Sequence, residues 1–392
     1  MNDDGRLMNS GRVALLLPCL LTGGTEVATL ETASAFQALG YSVDVVVYFD
    51  EVDPTMLATF REKGLQVHLL GVPRGKGLLS FWGLALRLQQ VLRRGRFDLV
   101  WVQYMTPTLL PLAVSRLFTQ RLVAAVHVAA SHYSPAGLGR MRWLARHWCA
   151  RFVCVSRTVA NGIFGSAGDA ERFARRVVVI PNALDMTAMR AAAVRDWCAE
   201  AGWQRDGVVL GFAGRLAHIK GADVLLHAVA RLHGQGLPVR LVIVGGGPEQ
   251  ASLAALATEL GIGAITHFAG RLPRTAIYGA IKGFDIAAVP SREEGFGLSA
   301  LEAMAAGVPV VASRVDALQE VVVDGATGLL CPADDPVNLA DALARLVANA
   351  ALRQRMGAAG VAHVELSYDS PAFRGHLAVL LTGLGLPVRA VV

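Results

Sequence analysis

Two carboxylates eight positions apart are the clearest candidates for chemistry in this sequence. Glu294 precedes the glycine-containing segment 295–297, and Glu302 lies in an apolar, helix-like stretch that begins near Leu298. The spacing predicts Glu302 about two turns into that helix. Carboxylates accept hydrogen bonds from vicinal diols, and the N–H groups of a helix start can bind an oxyanion. The pair predicts a ribose or hexose site; a capped helix with one solvated glutamate is the alternative, which the cost of burying an unpaired carboxylate disfavours.

A second candidate loop carries two cations. Arg215 and Lys220 lie in the segment 214–221, which follows a predicted strand and opens a helix. Two positive side chains and the backbone N–H groups of a helix start suit a diphosphate. The alternative is a solvated loop whose cations bind no ligand.

Two glycine-rich segments also follow predicted strands. The pair Gly23-Gly24 precedes a helix that begins near Glu26, and the run 245–247 follows a strand at 238–244. Glycines let backbone N–H groups approach an anion, but they also form tight turns that let two backbones pass closely. The run 245–247 does not match G-x-G-x-x-G, and the sequence contains no P-loop motif.

His127 ends an apolar strand predicted at 121–127. Doubly wound sheets bind ligands at the carboxyl ends of their strands, and His127 alone among ten histidines ends such a strand. A ligand contact is therefore one interpretation, although a lone histidine beside an apolar strand is more often structural.

Metal and disulfide chemistry are not indicated. The close acidic groups at 50–53 and 334–335 resemble surface turns or helix starts, and neither H-E-x-x-H nor a nucleophile elbow occurs. The five cysteines are scattered without C-x-x-C spacing and are predicted to be reduced core residues of a cytosolic protein. We therefore expect no metal and no cofactor.

The elements that position these loops alternate between short apolar runs and helical segments. Hydrophobic residues make up 53% of the 392 positions and charged residues 17%, which excludes a disordered chain and supplies two cores. Uniformly apolar short runs are typical of buried parallel strands. Strands are predicted at 13–17, 43–48, 66–70, 98–103, 121–127, 151–155, 176–180, 208–213, 238–244, 264–268, 284–289 and 308–312. Twelve strands are more than a single sheet usually contains. The sequence therefore predicts an α/β protein of two doubly wound domains.

The domain boundary is expected near 181–185. We expect a disordered leader at 1–10, an N-terminal domain at 11–185, a C-terminal domain at 186–370, and a helix and tail at 371–392 that return to the N-terminal domain. No secretory signal pattern occurs, and no apolar run approaches the ~18 residues that span a bilayer. The protein is expected to be soluble or to lie on a membrane surface.

Charge is unevenly distributed. Residues 1–185 carry 20 Lys+Arg and 13 Asp+Glu, a balance of +7, whereas residues 186–392 carry 17 and 18, a balance of −1. This predicts an anionic partner for the first half, unless it reflects a composition biased toward arginine.

The segments 78–96 and 140–151 combine arginines with tryptophan, as membrane-surface helices do. Core-facing helices with solvated arginines are an equally open alternative. No nucleic-acid partner is expected, since no RNA-binding module is recognised.

Together these loops resemble the retaining glycosyltransferases of the GT-B fold, family 4. The run from Glu294 to Glu302 matches the E-x7-E motif of that family, and the resemblance extends in order from residue 12 to about residue 367. Other matching segments are 23–24, 181–185, 214–221, 290–291, 303–313 and 320–328. The resemblance implies two Rossmann-like domains that face each other across a cleft, with the donor in the C-terminal domain and the acceptor in the N-terminal domain.

The resemblance also implies residue roles. Arg215 and Lys220 would neutralise the donor diphosphate, while Glu302 would take the ribose hydroxyls and Glu294 the transferred sugar. His127 would lie near the reacting face of the sugar. The implied catalytic residues are His127, Arg215, Lys220 and Glu294. The implied donor-binding residues are Gly24, Arg215, Lys220, Gly246, Glu294, Gly295, Phe296, Gly297, Leu298 and Glu302. The implied acceptor-side residues are Gly23, Gly24 and His127.

The implied function is metal-independent, retaining transfer of a hexose from a nucleotide-sugar to a glycan or lipid-linked acceptor. Catalysis would stabilise the leaving diphosphate, with front-face attack in which the donor phosphate takes the acceptor proton. Two departures, the uninterrupted glycines 245–247 and the extra carboxylate Glu293, bear on donor choice. The expected location is cytoplasmic, peripheral at the inner face of the plasma membrane.

Other functions stay open. A GT-B nucleotide-sugar epimerase would turn over without acceptor, and a phosphorylase would need a cofactor-binding lysine that the sequence does not locate. A catalytically silent subunit that binds nucleotide is a further alternative, disfavoured by the joint presence of Arg215, Lys220, Glu294 and Glu302. Within the transferase interpretation, Glu294 as covalent nucleophile is the less favoured mechanism.

Overall fold

The computed structural model of the chain describes residues 11–389 except 22, 76, 104–108, 166–172, 174 and 316. The leader expected at 1–10 therefore lies outside the described residues. The chain divides into two units: unit 1 runs to Ala183 and resumes at Ser370, and unit 2 is Leu184–Asp369. The first boundary was expected after residue 185, two residues later than observed. The second was expected after residue 370, one residue later than observed.

Unit 1 is built on a parallel sheet. Its strands are β1 (Gly11–Leu17), β2 (Tyr41–Phe49), β3 (Gln66–Val72), β4 (Leu99–Val102), β5 (Leu122–Val126), β6 (Arg151–Cys154) and β7 (Val177–Val179). Within the described residues their order is β3-β2-β1-β4-β5-β6-β7, and every paired neighbour is parallel. Strands such as β4 and β5 are buried along their whole length, which explains their uniformly apolar sequences.

Helices connect these strands. They are α1 (Gly24–Ala38), α2 (Pro54–Glu62), α3 (Leu78–Gly95), α4 (Leu110–Arg116), α5 (Pro135–His147) and α6 (Arg157–Phe164). Several begin at a side-chain cap. The Asp53 carboxylate, for example, accepts from the N–H groups of Thr55 and Met56 at the start of α2, which satisfies two donors that the helix leaves unpaired.

Unit 2 contains a second parallel sheet. Its strands are β8 (Val208–Ala213), β9 (Val239–Val244), β10 (Thr266–Gly270), β11 (Ile286–Val289), β12 (Val310–Ser313) and β13 (Gly328–Cys331). In the described part of the chain their order is β10-β9-β8-β11-β12-β13. The twelve strands predicted across both units are observed with ends shifted by at most two residues. The strand β13 was not predicted.

The helices of unit 2 cover this sheet. They are α7 (Met186–Ala191), α8 (Trp197–Ala201), α9 (Ala222–Gly234), α10 (Gln250–Glu259), α11 (Arg274–Lys282), α12 (Leu298–Ala305), α13 (Leu318–Val321), α14 (Pro336–Val347) and α15 (Ala350–Ser367). The core combines fully buried strand residues such as Leu241 and Ile243 with Leu225 of α9 and Leu343 of α14. The fold class predicted from the sequence, two doubly wound α/β domains, is therefore confirmed.

The last helix, α16 (Ser370–Thr382), belongs to unit 1. Leu377 and Leu381 of α16 are fully buried in the same apolar cluster as Phe36 of α1. Beyond the helix, the Pro387 carbonyl accepts from the Tyr41 hydroxyl at 2.5 Å. The C-terminal segment thus packs on unit 1.

Within the described strands, the order of each sheet changes direction at one place. In unit 1 this place lies between β1 and β4, and in unit 2 between β8 and β11. Loops that leave the carboxyl ends of such neighbouring strands diverge and leave a crevice for a ligand. The candidate residues should therefore be sought at these two edges.

Among the described helices, none has the length and apolar character to cross a membrane. All five cysteines are free. Cys149, Cys154, Cys198 and Cys331 are buried, as predicted, whereas Cys19 is only half-buried because it lies in the loop after β1.

Candidate functional site

Four loops meet at the carboxyl edge of the unit 2 sheet. They span 214–221 after β8, 245–249 after β9, 271–273 after β10 and 290–297 after β11. Because these strands are parallel neighbours, their loops emerge side by side. Three of the loops hold residues that the sequence predicted, and the fourth, 271–273, was missed.

Lys220 and Glu294 form an ion pair at this edge. The Nζ atom of Lys220 lies 2.6 Å from Oε2 of Glu294, and the side chains are 24% and 13% exposed. The Ser291 hydroxyl donates to the same carboxylate oxygen at 3.3 Å. Two predicted residues that stand 74 positions apart in the sequence are therefore in direct contact.

Gly221 explains how the two loops come so close. Its φ is +64°, and a Cβ atom there would lie 2.0 Å from the Pro290 carbonyl oxygen. Only glycine fits this left-handed, tightly packed position. The neighbouring Arg292 N–H donates to the Ile219 carbonyl at 2.8 Å, which fastens the two loops together next to Lys220.

Arg292 clamps the same loops from the other side. Its guanidinium donates to both carboxylate oxygens of Asp223 at 2.9 and 2.7 Å, to Asp334 at 2.8 Å and to the His218 carbonyl at 2.6 Å. These partners, the Asp223 hydrogen bonds above all, raise the pKa of Arg292. The guanidinium group of Arg292 makes its hydrogen bonds within the protein, so Arg292 stabilises the two loops and does not face a ligand.

Glu302 is paired with an arginine that the sequence did not single out. The Nη1 atom of Arg274, the first residue of α11, donates to Glu302 Oε1 at 2.5 Å, and Nη2 donates to the Tyr278 hydroxyl at 2.7 Å. Glu302 is only 8% exposed, so this partner answers the cost of its burial. A cation soon after the strand predicted at 264–268 was the available signal.

The start of α12 forms as predicted, with one correction. The helix begins at Leu298, so Glu302 is its fifth residue and lies just over one turn from the start rather than two. Gly297 has φ +97°, and a Cβ there would lie 2.7 Å from a methyl carbon of Leu318. The glycine therefore lets the chain turn into α12, whose first N–H groups have no helical acceptor.

Two more cations lie on this edge. Arg215 is exposed, and its side chain makes no hydrogen bond or ion pair with any other described residue. Arg271 is also exposed and passes over Gly246, where a Cβ would come within 2.8 Å of its Cγ atom. Arg215 and Lys220 thus differ, since one is a solvated charge and the other is already held by a carboxylate.

The glycine run 245–247 brings two loops into backbone contact. A Cβ at Gly245 would lie 1.8 Å from the Gly214 carbonyl oxygen, and one at Gly247 would lie 2.1 Å from the Leu216 carbonyl oxygen. The Leu216 N–H donates to the Gly246 carbonyl at 3.1 Å. The close-passage interpretation of this run is confirmed, and the donor contact of Gly246 stays a prediction.

His127 follows β5 in unit 1 and lies at the carboxyl end of that strand. Both ring nitrogens are buried, and neither has a hydrogen-bond partner among the described residues. Burial lowers the pKa of His127 to about 4. The imidazole is therefore neutral near pH 7.

The Gly23-Gly24 loop folds over a buried carboxylate that sequence reasoning did not assign. Glu26 is 7% exposed, its Oε1 accepts from the Leu21 N–H at 3.2 Å, and burial raises its pKa. A Cβ at Gly23 would lie 2.8 Å from Oε2 of Glu26. The position of Glu26 in the first turn of α1, directly after the glycine pair, was the available signal.

The structure therefore gathers Arg215, Lys220, Glu294 and Glu302 on one edge of unit 2. Gly23, Gly24 and His127 lie in unit 1. In the described part of the chain, no group of three or more His, Cys, Asp or Glu side chains is placed to hold a metal ion.

Two family models of glycosyltransferases match successive parts of the chain. The family model described as glycosyl transferases group 1 matches residues 195–363, and the model described as glycosyltransferase family 4 matches residues 22–188. In solved structures, HepE of Anabaena in complex with UDP and glucose matches with a TM-score of 0.79 and 21% identity, over 95% of this chain and 99% of that one.

Curated relatives agree. The D-inositol 3-phosphate glycosyltransferase of Frankia alni is 31% identical over 372 residues, which cover 86% of this chain and 89% of that protein. The Corynebacterium jeikeium protein of the same name is 43% identical over 162 residues, which cover 40% of this chain and 39% of that protein. The chain thus spans only about two fifths of the length of several relatives that it matches. The alignment with the Frankia protein, in contrast, covers both domains. On that ground the chain belongs to the group 1 glycosyl transferases of glycosyltransferase family 4.

Proposed function

We propose that the protein transfers a hexose from a nucleotide-sugar to a hydroxyl group of a glycan or lipid-linked acceptor. The carrying observation is that the Lys220–Glu294 and Arg274–Glu302 pairs occupy one edge of the unit 2 sheet. Cations bind phosphate and carboxylates accept from hydroxyls, and a nucleotide-sugar presents both kinds of group.

The donor would bind at this edge of unit 2. Arg215 and Lys220 bind the diphosphate, the hydroxyls of the ribose donate to Glu302, and Glu294 accepts from the transferred sugar. Arg274 orients Glu302 through the hydrogen bond at 2.5 Å. Backbone contacts to phosphate and sugar oxygens come from Gly246, Gly295, Phe296, Gly297 and Leu298.

Catalysis would consist mainly of leaving-group stabilisation. Negative charge grows on the diphosphate as the sugar departs, and charges already held in place oppose it without reorganising. Lys220 suits this role because Glu294 and the packed loops fix its ammonium group before a ligand arrives. We propose transfer with retention, in which the donor phosphate takes the acceptor proton and no metal takes part.

The acceptor would bind to unit 1, near His127 and the Gly23-Gly24 loop. A neutral, buried imidazole whose nitrogens lack partners among the described residues can accept from or donate to a sugar hydroxyl. The balance of +7 over residues 1–185 favours an acidic acceptor. The relatives named for D-inositol 3-phosphate act, by that name, on a phosphorylated polyol, which supports the same inference.

We propose contact with the inner face of the plasma membrane through unit 1 of a cytoplasmic protein. Trp82 and Leu86 of α3 are 59% and 63% exposed, and Trp143 of α5 is 47% exposed. Large apolar side chains among arginines are suited to the boundary between lipid headgroups and water. Arg142, in contrast, donates to the Ile163 carbonyl at 2.5 Å and serves the fold.

The test is a donor and acceptor screen. UDP, GDP and ADP are compared for thermal stabilisation, since a ligand that binds the native state raises Tm. The matching nucleotide-hexoses are then incubated with inositol phosphates and lipid-linked sugars, and the product anomer is assigned by NMR. Transfer that persists in EDTA supports the proposal, whereas epimerised donor without acceptor or nucleotide binding without any turnover contradicts it.

A further inference from the structure

Unit 1 contains a cavity of about 600 Å³ away from the carboxyl edge of its sheet. It is lined by residues of β1, β2 and β3 and by the second half of α3. The polar and charged side chains that matter here are Arg12, Asp44, His68, Arg87, Gln90 and Arg94. None of them belongs to the proposed donor or acceptor residues.

The one carboxylate among these side chains is already neutralised. Asp44 has a side chain only 5% exposed, and both of its oxygens lie 3.2 Å from Nη2 of Arg12. The Nε2 atom of His68 lies 2.8 Å from Oδ2. Asp44 therefore holds Arg12 and His68 in fixed orientations at the cavity wall. The negative charge of Asp44 is balanced by the guanidinium group of Arg12.

Two arginines of α3 leave the cavity with excess positive charge. Arg87 donates through Nη1 to the carbonyls of Leu70 and Gly71 on the edge strand β3, which anchors its guanidinium at the cavity. When the Gln90 amide is turned so that its oxygen faces Arg94, as the surrounding donors require, that oxygen accepts from both terminal nitrogens of Arg94 at 3.0 Å. Anchored guanidinium groups are well suited to bind phosphate oxygens in a bidentate manner.

We propose that this cavity binds a phosphate monoester, with the phosphate between Arg87 and Arg94. The volume is in the range of small-molecule sites and exceeds what inorganic phosphate needs, so the organic part of the ester fits inside. Such an ester is either a free metabolite or the headgroup of phosphatidic acid in a lipid surface. The exposed Leu69 at the cavity and Trp82 on α3 are placed to contact the acyl region in the second case. This site is separate from glycosyl transfer.

The test uses a matched pair of charge removals on one helix. The double variant Arg87→Gln/Arg94→Gln is compared with Arg93→Gln, which removes an exposed arginine of α3 that does not line the cavity. Glycerol 3-phosphate binding is measured by calorimetry at fixed ionic strength. We expect the double variant to bind at least tenfold more weakly and Arg93→Gln to bind as the unaltered protein does.

Vesicles separate the two sources of the ester. Sedimentation is compared between phosphatidylcholine alone and an equimolar mixture with phosphatidic acid, whose headgroup is a phosphate monoester. If the double variant loses both glycerol 3-phosphate and mixed vesicles, the lipid headgroup is the source, and if it loses only the soluble ester, a metabolite is. Absence of glycerol 3-phosphate binding, or equal losses in the double variant and Arg93→Gln, overturns the proposal.

A milder variant keeps the test valid if the edge strand depends on Arg87. Arg94→Gln alone removes a side chain whose described contact is with Gln90, and it should weaken glycerol 3-phosphate binding severalfold without lowering Tm. Nucleotide-stimulated Tm shifts and sugar transfer are measured in parallel. If both are retained in these variants, the proposed phosphate site and the proposed transferase site are independent, and each proposal can be tested without the other.

Discussion

Lys220 of the loop after β8 and Glu294 of the loop after β11 lie in contact, with Nζ 2.6 Å from Oε2. Both are partly desolvated, so the attraction between them is stronger than between exposed charges. The pair joins the two loops at the point where the strand order of unit 2 reverses. An anion that binds Lys220 would therefore contact an ammonium group that already interacts with Glu294. The site presents a positive and a negative group at adjoining positions.

The first prediction concerns Lys220. Lys220→Met should lower sugar transfer about 100-fold, because one preorganised charge opposite the leaving diphosphate would be lost. The measurement is the initial rate with the best donor, together with the Tm shift that the nucleotide causes. Arg231→Gln, which removes an exposed cation of α9, is the matched control. Equal rates for Lys220→Met and unaltered protein would remove Lys220 from the site.

The second prediction concerns Arg274 and Glu302. Arg274→Ala leaves the carboxylate of Glu302 buried without that partner, which should lower stability by about 1–3 kcal/mol. Calorimetry of Arg274→Ala, Glu302→Ala and the double variant measures the coupling. The double variant should lose less than the sum of the single losses, since the two residues are in contact. Strictly additive losses are incompatible with the ion pair as a stabilising unit.

The third prediction concerns the close passage of loops at 245–247. Gly247→Ala should destabilise the protein by about 2–4 kcal/mol, because the new Cβ would collide with the Leu216 carbonyl oxygen, 2.1 Å away. Gly234 of α9 has open space around it, so Gly234→Ala should be neutral or slightly stabilising. Urea unfolding of both variants checks this, and similar midpoints for the two would refute the packing argument.

The fourth prediction concerns His127 and pH. Its pKa is about 4 in the folded protein against 6.5 in an open chain, so the unfolded state binds more protons between these values. Stability should therefore fall as pH drops from 6.5 toward 4, by up to about 3 kcal/mol from this residue. Urea midpoints at several pH values are compared with those of His127→Gln, which should lose that part of the pH dependence.

NMR gives a direct check on the same residue. The imidazole signal absent from His127→Gln identifies His127 in the spectrum, and its shift is followed through the acid range. A midpoint near 6.5 would show a solvated imidazole and contradict the burial on which the proposed acceptor contact depends.

Local sequence patterns were sufficient for most of the secondary structure. The apolar runs predicted twelve strands because buried parallel strands need apolar side chains on both faces. The strand β13 was missed, since Gly328–Cys331 is short and follows a turn, and only its pairing with β12 makes it a strand. A Cβ at Gly328 would lie 2.4 Å from the Val310 carbonyl oxygen, a constraint that becomes visible only beside β12.

By itself, the sequence determined the α/β class, the two domains, and the loops that carry Arg215, Lys220, Glu294 and Glu302. These follow from hydrophobic periodicity and from residue types at strand ends, which are local properties. The tertiary structure decided which charges meet. The partner of Glu302 is 28 positions away and that of Lys220 is 74 positions away, and these distances are closed by the register of parallel strands. Pairing depends on spatial proximity, which no local pattern encodes.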